Sequence, residues 1–377
     1  MRKTITIGDL GTIITGKTPP TTNKNYYGDY AVFIKPTDIS EQSKYTYETE
    51  EMYSKLAAEK YESSLIPKGA ICVPCIGTIG TKMTMAPCDC YTNQSINSIV
   101  CNENYDNEYV YYLIKNFLPG LKAYNLGTAS GREYVSKSNF EKIELVAEQD
   151  KTIQKRIGVI LSRYDSLIEN YQKQIQLLEE AAQRLYKEWF VDLHFPGHEN
   201  TKIVDGVPEG WEKKNVTDII DVKYGKDHKL LKDGEIPVYG TGGIMRYADC
   251  SLYTGESVLI PRKGSLNNIM FVDETFWTID TMFYSIPKIE NAAKIVYFYL
   301  KGLDMYSMNI GAAVPSMTIS ILSGMNVLLP TNEIRLSFEG IITKYFDEIK
   351  ELSSQIRLLT GSRDRLLPKL MSGEITV

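Results

Sequence analysis

The sequence predicts an α+β fold written twice: two β-rich units separated by two long helices that form an antiparallel coiled coil, related by a pseudo-twofold internal repeat. Three observations predict it. Apolar residues step by 4, 3, 4, 3 through residues 157–189, and the same steps return through 338–370 at a constant offset of 181 residues. A 3.5-residue period kept over four heptads is that of helices wound on each other. Each periodic segment follows a stretch of short Val/Ile/Tyr/Phe runs broken by Gly, Pro, Asn and Asp, the pattern of short strands. Short motifs also recur between those two stretches, so the duplication extends beyond the helices.

Residues 1–149 form the first unit. Gly8-Asp9-Leu10 opens it and corresponds to Thr217-Asp218-Ile219 in the second; IPKGAICV (66–73) parallels YTGESVLI (253–260) at an offset near 186. The offset falls from about 209 between these pairs, so the first unit carries some 23 extra residues, mostly in the polar, Tyr- and Glu-rich stretch 35–62. VYYLIK (110–115) matches VYFYLK (296–301), predicting one short amphipathic helix near 107–118 and another near 290–303. Asn125-Leu126-Gly127 matches Asn309-Ile310-Gly311.

The first long helix occupies 150–192. Its seam is Ile157, Leu161, Tyr164, Ile168, Tyr171, Ile175, Leu178, Leu185 and Trp189, with Ala182 in step. Phe195-Pro196-Gly197 breaks it, and a linker runs over 193–207 into Val207-Pro208-Glu209-Gly210-Trp211. The second unit spans 208–331. The second long helix and tail span 332–377, with seam residues Phe338, Ile342, Tyr345, Ile349, Leu352, Ile356, Leu359 and Leu366. Arg363 is a polar exception in this seam, and Pro368 predicts a stop or kink that leaves Leu370 the least secure position. About 33 helical residues make a rod of roughly 50 Å, which two antiparallel helices would turn into a spacer between the units. Periodicity alone equally permits a simple dimerisation or bundle element.

The 377 residues suffice for two full cores. No apolar run approaches the roughly 18 residues that a membrane span requires, and the N-terminus shows no signal-peptide block, so a cytoplasmic protein is expected. Residues 1–149 carry 15 basic against 17 acidic side chains, and residues 193–331 carry 13 against 16. Neither unit is basic overall, so any nucleic-acid face must be a local patch or lean on basic partners.

Several motifs suggest chemistry and then lose their context. Residues 11–18, GTIITGKT, satisfy the P-loop expression, but Pro19-Pro20 follows where a phosphate-cradling helix must begin. A loop presenting Lys17 and Thr18 is the better reading. Cys72, Cys75, Cys88 and Cys90 have short spacings compatible with zinc. Yet Cys72 lies in an apolar strand whose counterpart is Val258, so buried or idle thiols are favoured. His194 and His198 flank a Pro-Gly break and cannot share a helical face, and no metal is expected. Gly240-Thr241-Gly242-Gly243 is too compact for a dinucleotide turn. No methyltransferase, nuclease or hydrolase signature is present, which favours binding over catalysis.

RLYKEWFVDLHFPG (184–197) and RLLPKLMSGEI (365–375), together with VPEGWE (207–212), TGKTPP (15–20), IPVYGTGGIMRY (236–247) and VLIPRKGSLN (258–267), are what this chain has in common with one family. In these motifs and in its duplicated layout, it resembles the specificity subunits of type I restriction-modification systems along its whole length. The resemblance implies two target-recognition domains, each reading one half of a bipartite double-stranded DNA target, and a coiled coil that sets the gap and docks two methyltransferase subunits. Restriction subunits with translocase activity complete that complex. It implies no catalysis and no cofactor in this chain, with S-adenosylmethionine, ATP and Mg used by partners. The extra segment of the first unit implies an asymmetric target.

For DNA contacts the predicted loops offer Lys17, Thr18, Lys35, Thr78, Thr81, Lys82, Ser130, Arg132 and Tyr134 in the first unit. In the second they offer Lys223, Lys226, His228, Tyr239, Thr241, Arg246, Arg262, Lys263, Ser265 and Asn267. Arg pairs bidentately with guanine and Asn with adenine, while Lys, Ser and Thr hold phosphates. Arg132 and Arg262 are the strongest base-reading candidates. The rival from a different class is a structural adaptor whose coiled coil and β units bind proteins.

Overall fold

The computed structural model describes residues 1–77, 79–127, 133–308 and 316–377. The chain divides into two compact units, Met1–Gln174 with Leu352–Val377, and Ile175–Glu351. Each therefore holds one β-rich body together with part of both long helices.

In the first unit, β1 (Arg2–Thr6) is followed by a single helical turn, α1 (Ile7–Leu10), and β2 (Gly11–Thr15). Thr6 and Asp9 form a reciprocal capping box that starts the turn. Short strands β3 (Tyr27–Gly28), β4 (Ala31–Ile34) and β5 (Met52–Tyr53) precede α2 (Lys55–Lys60), then β6 (Ile71–Pro74), β7 (Thr84–Met85), β8 (Tyr91–Thr92) and β9 (Ile96–Cys101). They form two four-stranded sheets, ordered β2-β9-β6-β7 and β3-β5-β4-β8. The extra segment supplies β5 and α2, and Tyr53, Ala57 and Ala58 pack with Phe33 and Tyr91 into a small core of their own.

Helix α3 (Asn107–Phe117) starts at Asp106, whose side chain accepts from the Tyr109 amide at 3.1 Å, and buries every residue from Tyr109 to Ile114. After α4 (Lys137–Glu141), β10 (Glu144–Glu148) pairs antiparallel with β1 over five residues and feeds directly into α5 (Lys151–Tyr186). This pairing ties the first strand to the start of the long helix. Ile157 and Leu161 of α5 enter the main core beside Val110 and Leu113, and from the far end of the chain Leu367, Leu370 and Met371 join the same core.

The second unit begins with the end of α5, where Lys187–Val191 form a π-helical turn that buries Trp189 and Phe190. The segment read as linker holds a small hairpin, β11 (Ile203–Val204) with β12 (Val207–Pro208). Asp205 and Gly206 adopt positive φ at its turn, as a two-residue hairpin loop requires. Then β13 (Glu212–Asn215), the turn α6 (Val216–Ile219) and β14 (Ile220–Tyr224) repeat the opening of the first unit. Strands β15 (Asp233–Gly240), β16 (Gly243–Ala248), β17 (Tyr253–Pro261), β18 (Met270–Thr278) and β19 (Met282–Pro287) complete a six-stranded sheet ordered β14-β19-β17-β18-β15-β16. Within this sheet only β15 and β18 run parallel.

Helix α7 (Ala293–Lys301) packs Ile295, Val296, Phe298 and Leu300 into the core, and after α8 (Ile319–Ser323), β20 (Asn326–Leu329) pairs with β13 and feeds α9 (Asn332–Ser372). Phe338 and Ile342 of α9 meet Trp189 and Phe190 of the π-helical turn after α5 there, with the Phe190 and Phe338 rings 4.8 Å apart. In each unit, then, the start of one long helix packs beside the end of the other. The two helices run antiparallel in both.

Proline at 368 does not stop the helix: α9 continues to Ser372, and Leu370 is 1% exposed. Burial of Leu367, Leu370 and Met371 outweighs the one backbone bond that proline removes. The guanidinium of Arg2 then caps the freed helix end by donating to the carbonyls of Leu370 and Met371 at 2.9 and 3.0 Å. Of the seam residues, Ile157, Leu161, Ile168, Trp189, Phe338, Ile342 and Leu352 are buried; Tyr164, Tyr171, Ile175, Leu178, Leu185, Tyr345, Ile349, Ile356, Leu359 and Leu366 are half-buried.

Helix starts differ between the repeats at one matched pair of positions. In the first unit Gly158 packs so tightly on Glu108 that an added Cβ would lie 2.8 Å from the Glu108 Cβ, and Glu108 pairs with Lys44 of the extra segment. At the corresponding positions of the second unit stand Glu339 and Lys294, which pair with each other, and Lys294 also meets Glu256 at 2.5 Å. Burial works against the Lys294 charge, but the hydrogen bonds it donates to Glu256 and Glu339 outweigh it and raise its pKa.

Candidate nucleic-acid interface

At the end of β2 the chain turns at Gly16 because nothing larger fits: a Cβ there would lie 2.1 Å from the Thr92 carbonyl oxygen. The Gly16 and Lys17 amides donate to the carbonyls of Ile96 and Thr92 at 3.2 and 2.9 Å. These are the amides that a P-loop would aim at phosphate, and here the protein's own backbone uses them. The Lys17 and Thr18 side chains stay exposed, with Thr18 donating to Gln94. In the second unit the same device recurs. A Cβ on Gly225 would lie 2.1 Å from the Ile279 carbonyl oxygen, and the Lys226 amide donates to the Thr278 carbonyl at 2.9 Å. Lys17 corresponds to Lys226 at the offset 209, and Thr92 to Thr278 at the offset 186.

Around the second turn several strand-end loops converge. Arg262 lies 4.6 Å above the Tyr224 ring and 5.1 Å from the Phe283 ring, with one guanidinium nitrogen donating to the Asp280 carbonyl at 2.7 Å. Its backbone amide donates to Thr281 at 2.8 Å, so both ends of the residue are tied to the 279–281 loop. Asn268 donates to the Thr241 carbonyl at 2.7 Å, and Ile279 donates to the Tyr239 carbonyl at 3.0 Å. Lys226, Tyr239, Thr241, Arg262 and the 263–268 loop are thereby brought to one end of the sheet. Lys263 and Ser265 are exposed there, while Asn267 is engaged with Asp304 and the Met305 amide. Tyr239 is mostly buried and donates to Glu274; burial first, then that bond, raises its pKa.

The remaining candidates of this unit lie apart or are committed. Arg246 is held on the β15–β16 hairpin by Asp233 at 2.7 Å, and Lys223 is paired with Asp221 at 2.8 Å. His228 buries its Nδ1 without a partner among the described residues.

In the first unit Tyr134 bridges to Ile76, and Cys75 accepts from Val135 while donating to Ser95, so the 75–77, 92–96 and 133–135 segments meet near Lys17 and Thr18. Thr81 and Lys82 are half-buried. Lys35 is engaged by Glu50 at 2.6 Å and Glu51 at 3.1 Å; burial opposes its charge, but those hydrogen bonds outweigh it and raise its pKa. Thr78, Ser130 and Arg132 lie outside the described residues. Among the described residues Lys17, Lys82, Lys226, Arg262 and Lys263 carry no ion pair. Against a chain of net charge −5, these five of the predicted contact residues keep their charge free for an anionic partner.

Sequence reasoning missed Gln94, Tyr224, Trp277 and Tyr306. Trp277 donates to the Lys226 carbonyl at 3.0 Å, and the Tyr306 hydroxyl donates to the Gly264 carbonyl at 2.7 Å. A signal existed for one of them: extending the offset 186 beyond residue 73 places Gln94 opposite Asp280, in the loop on which Arg262 rests. The cysteines show no such convergence. Burial pushes the Cys72 thiol up to about 11, and Ser98 donates to it at 3.3 Å, the surroundings of an inert core thiol. Among the described residues no three His, Cys, Asp or Glu side chains form a cluster able to hold a metal.

Two β-rich bodies of repeated layout, each presenting a Gly-Lys turn and each closed by an antiparallel pair of long helices, define a duplicated recognition protein. The chain belongs to the family of type I restriction modification DNA specificity domains, whose sequence model matches residues 2–180 and 208–359. It is similar to the type I restriction enzyme MjaIX specificity subunit of Methanocaldococcus jannaschii, 26% identical over 404 residues, covering 98% of this chain and 93% of that one. The type I restriction enzyme HindI specificity subunit of Haemophilus influenzae is 36% identical over 164 residues, 42% of this chain and 35% of the relative. In fold, the S subunit of a type I restriction-modification system from M. genitalium superposes with a TM-score of 0.61 at 18% identity, covering 98% of this chain and 96% of that chain. No helix among the described residues is long and apolar enough to cross a membrane.

Proposed function

We propose that this chain is the DNA-sequence-recognition subunit of a type I restriction-modification complex and performs no chemistry itself. Residues 1–149 and 208–331 read the two halves of a bipartite, asymmetric target, and the helices of 150–192 and 332–377 set the gap between them. The single observation that carries this is the repeated turn at Gly16-Lys17 and Gly225-Lys226, the same scaffold point presented twice amid divergent loops. Arg262 is the leading base reader of the second half-site, because stacking on Tyr224 and the bond to Asp280 pre-orient its guanidinium for a guanine edge. Lys17, Lys226 and Lys263 serve phosphates.

Because the chain is acidic overall, much of the phosphate neutralisation falls to partners. Two methyltransferase subunits using S-adenosylmethionine dock on the helices, and restriction subunits using ATP and Mg join them in the cell's cytoplasm. Co-expression with a methyltransferase subunit, followed by sequencing of modified bases, tests the reading. A methylated motif in two parts with an unread gap supports it. A stable protein complex that leaves DNA unmodified favours the adaptor.

A further inference from the structure

Asp165 of α5 and Arg363 of α9 form an ion pair inside the first unit, 4% and 6% exposed, and the Tyr112 hydroxyl donates to the same carboxylate at 2.5 Å. The internal repeat supplies a control for this cluster. At the offset 181 on the helices, Asp165 corresponds to Phe346 and Arg363 to Ala182; at the offset 186 on the bodies, Tyr112 corresponds to Phe298. Those three residues also come together, in the second unit. Ala182, Phe298 and Phe346 line one cavity of about 340 Å³, the two phenylalanine rings lie 6.1 Å apart, and Phe346 stacks edge-on to Phe271 at 5.0 Å. One position of a duplicated seam is therefore ionic in one unit and apolar in the other, and all three members differ between the units.

We propose that this difference is a pairing code: it makes each long helix accept the other helix of the chain and reject a second copy of itself. The antiparallel register fixes what self-pairing would do. Were α5 to pair with α5 of a second copy, Asp165 would face Ala182 and lose its guanidinium, twice over by symmetry. Were α9 to pair with α9, Arg363 would face Phe346, with Thr360 standing where Glu179 now lines the cavity, again twice. A buried charge stripped of its partner is among the largest single penalties available to a seam, whereas a satisfied pair costs little relative to apolar packing. Single polar positions of this kind set partner choice in coiled coils more than they set stability. The device selects the unlike pairing, so the two different bodies stay together on one strut. This inference stands on seam geometry and does not depend on what the loops bind.

The test uses full-length chains with two different affinity tags. Asp165→Arg leaves Arg363 facing another cation, and Arg363→Asp leaves Asp165 facing another anion, so neither chain can satisfy its own seam. Mixed, the two variants restore both ion pairs only by exchanging helices between chains. Co-refolding and capture on one tag is expected to recover the second chain about tenfold above a wild-type pair, as ~1.4 kcal/mol of discrimination commands. The chain carrying both substitutions is expected to be monomeric with wild-type stability. If that double variant is restored but the mixed chains are not enriched, the pair holds the seam without choosing partners and the proposal is overturned. It is equally overturned if Asp165→Arg alone remains as stable as wild type.

Discussion

Arg363, the one polar residue in the seam of the second long helix, donates into the carboxylate of Asp165 almost two hundred residues earlier. Asp165 sits one position beyond the seam residue Tyr164, so heptad counting passed over it. Burial opposes the Arg363 charge, but Asp165 and then Asp364 outweigh it and raise its pKa. Replacing Arg363 with Ala strands a buried carboxylate and is expected to lower unfolding stability by about 3–5 kcal/mol, read by denaturant melts. Replacing Asp165 and Arg363 together with Leu is expected to cost far less. Equal losses for single and double variants would show that packing, and not charge, matters at this site.

Arg262 is held in place from below, so Arg262→Lys removes the planar fork without removing the charge. Binding of the assembled complex to its methylated motif is expected to weaken by about 1–3 kcal/mol, with relaxed preference at one base of the second half-site only. Competition with single-base variants of the motif measures this. Uniform weakening at every base would make Arg262 a phosphate contact.

Lys17→Ala and Lys226→Ala address the phosphate role. Each is expected to leave the recognised sequence unchanged and to lower the slope of log affinity against log salt by about 1. Titrations across salt concentrations decide it, and an unchanged slope removes that lysine from the interface.

Shortening the strut tests the spacer. Deleting residues 172–178 together with 350–356 removes one heptad from each helix, or about 10 Å of rise, close to 3 base pairs at 34–36 Å per turn. Methylome sequencing is expected to return the same half-sites with a smaller gap. Altered half-sites with the old gap would refute the ruler.

Glu148 gives the acid limb of the stability curve. Burial raises its pKa, but the Met1 ammonium at 2.5 Å and the amides of Asp150 and Gln149 outweigh it, leaving the folded-state value below the ordinary one. A depressed carboxylate contributes stability that is fully present above its unfolded pKa, near 4.3, and is lost as pH falls through the folded value. Glu148→Gln is expected to lower stability at neutral pH and to flatten the decline below about pH 4. An unchanged acid limb would place its origin elsewhere.

The sequence by itself determined the duplication, the two long helices and their seam, because a repeat and a 3.5-residue period are written in residue order and survive without coordinates. It also located the Gly-Lys turns, since the close approach that excludes any side chain at Gly16 and Gly225 leaves a local mark. Only the tertiary structure decided which residues of the two repeats had parted company. Glu108 and Lys294 look like unrelated surface charges until Gly158 and Glu339 are found opposite them, and Arg363 looks like a flaw in a heptad until Asp165 is found beside it. The helix through Pro368 belongs with these, for its persistence rests on a core supplied by the other end of the chain. Charge pairing and burial act between residues far apart in sequence, and such distances are closed only by folding.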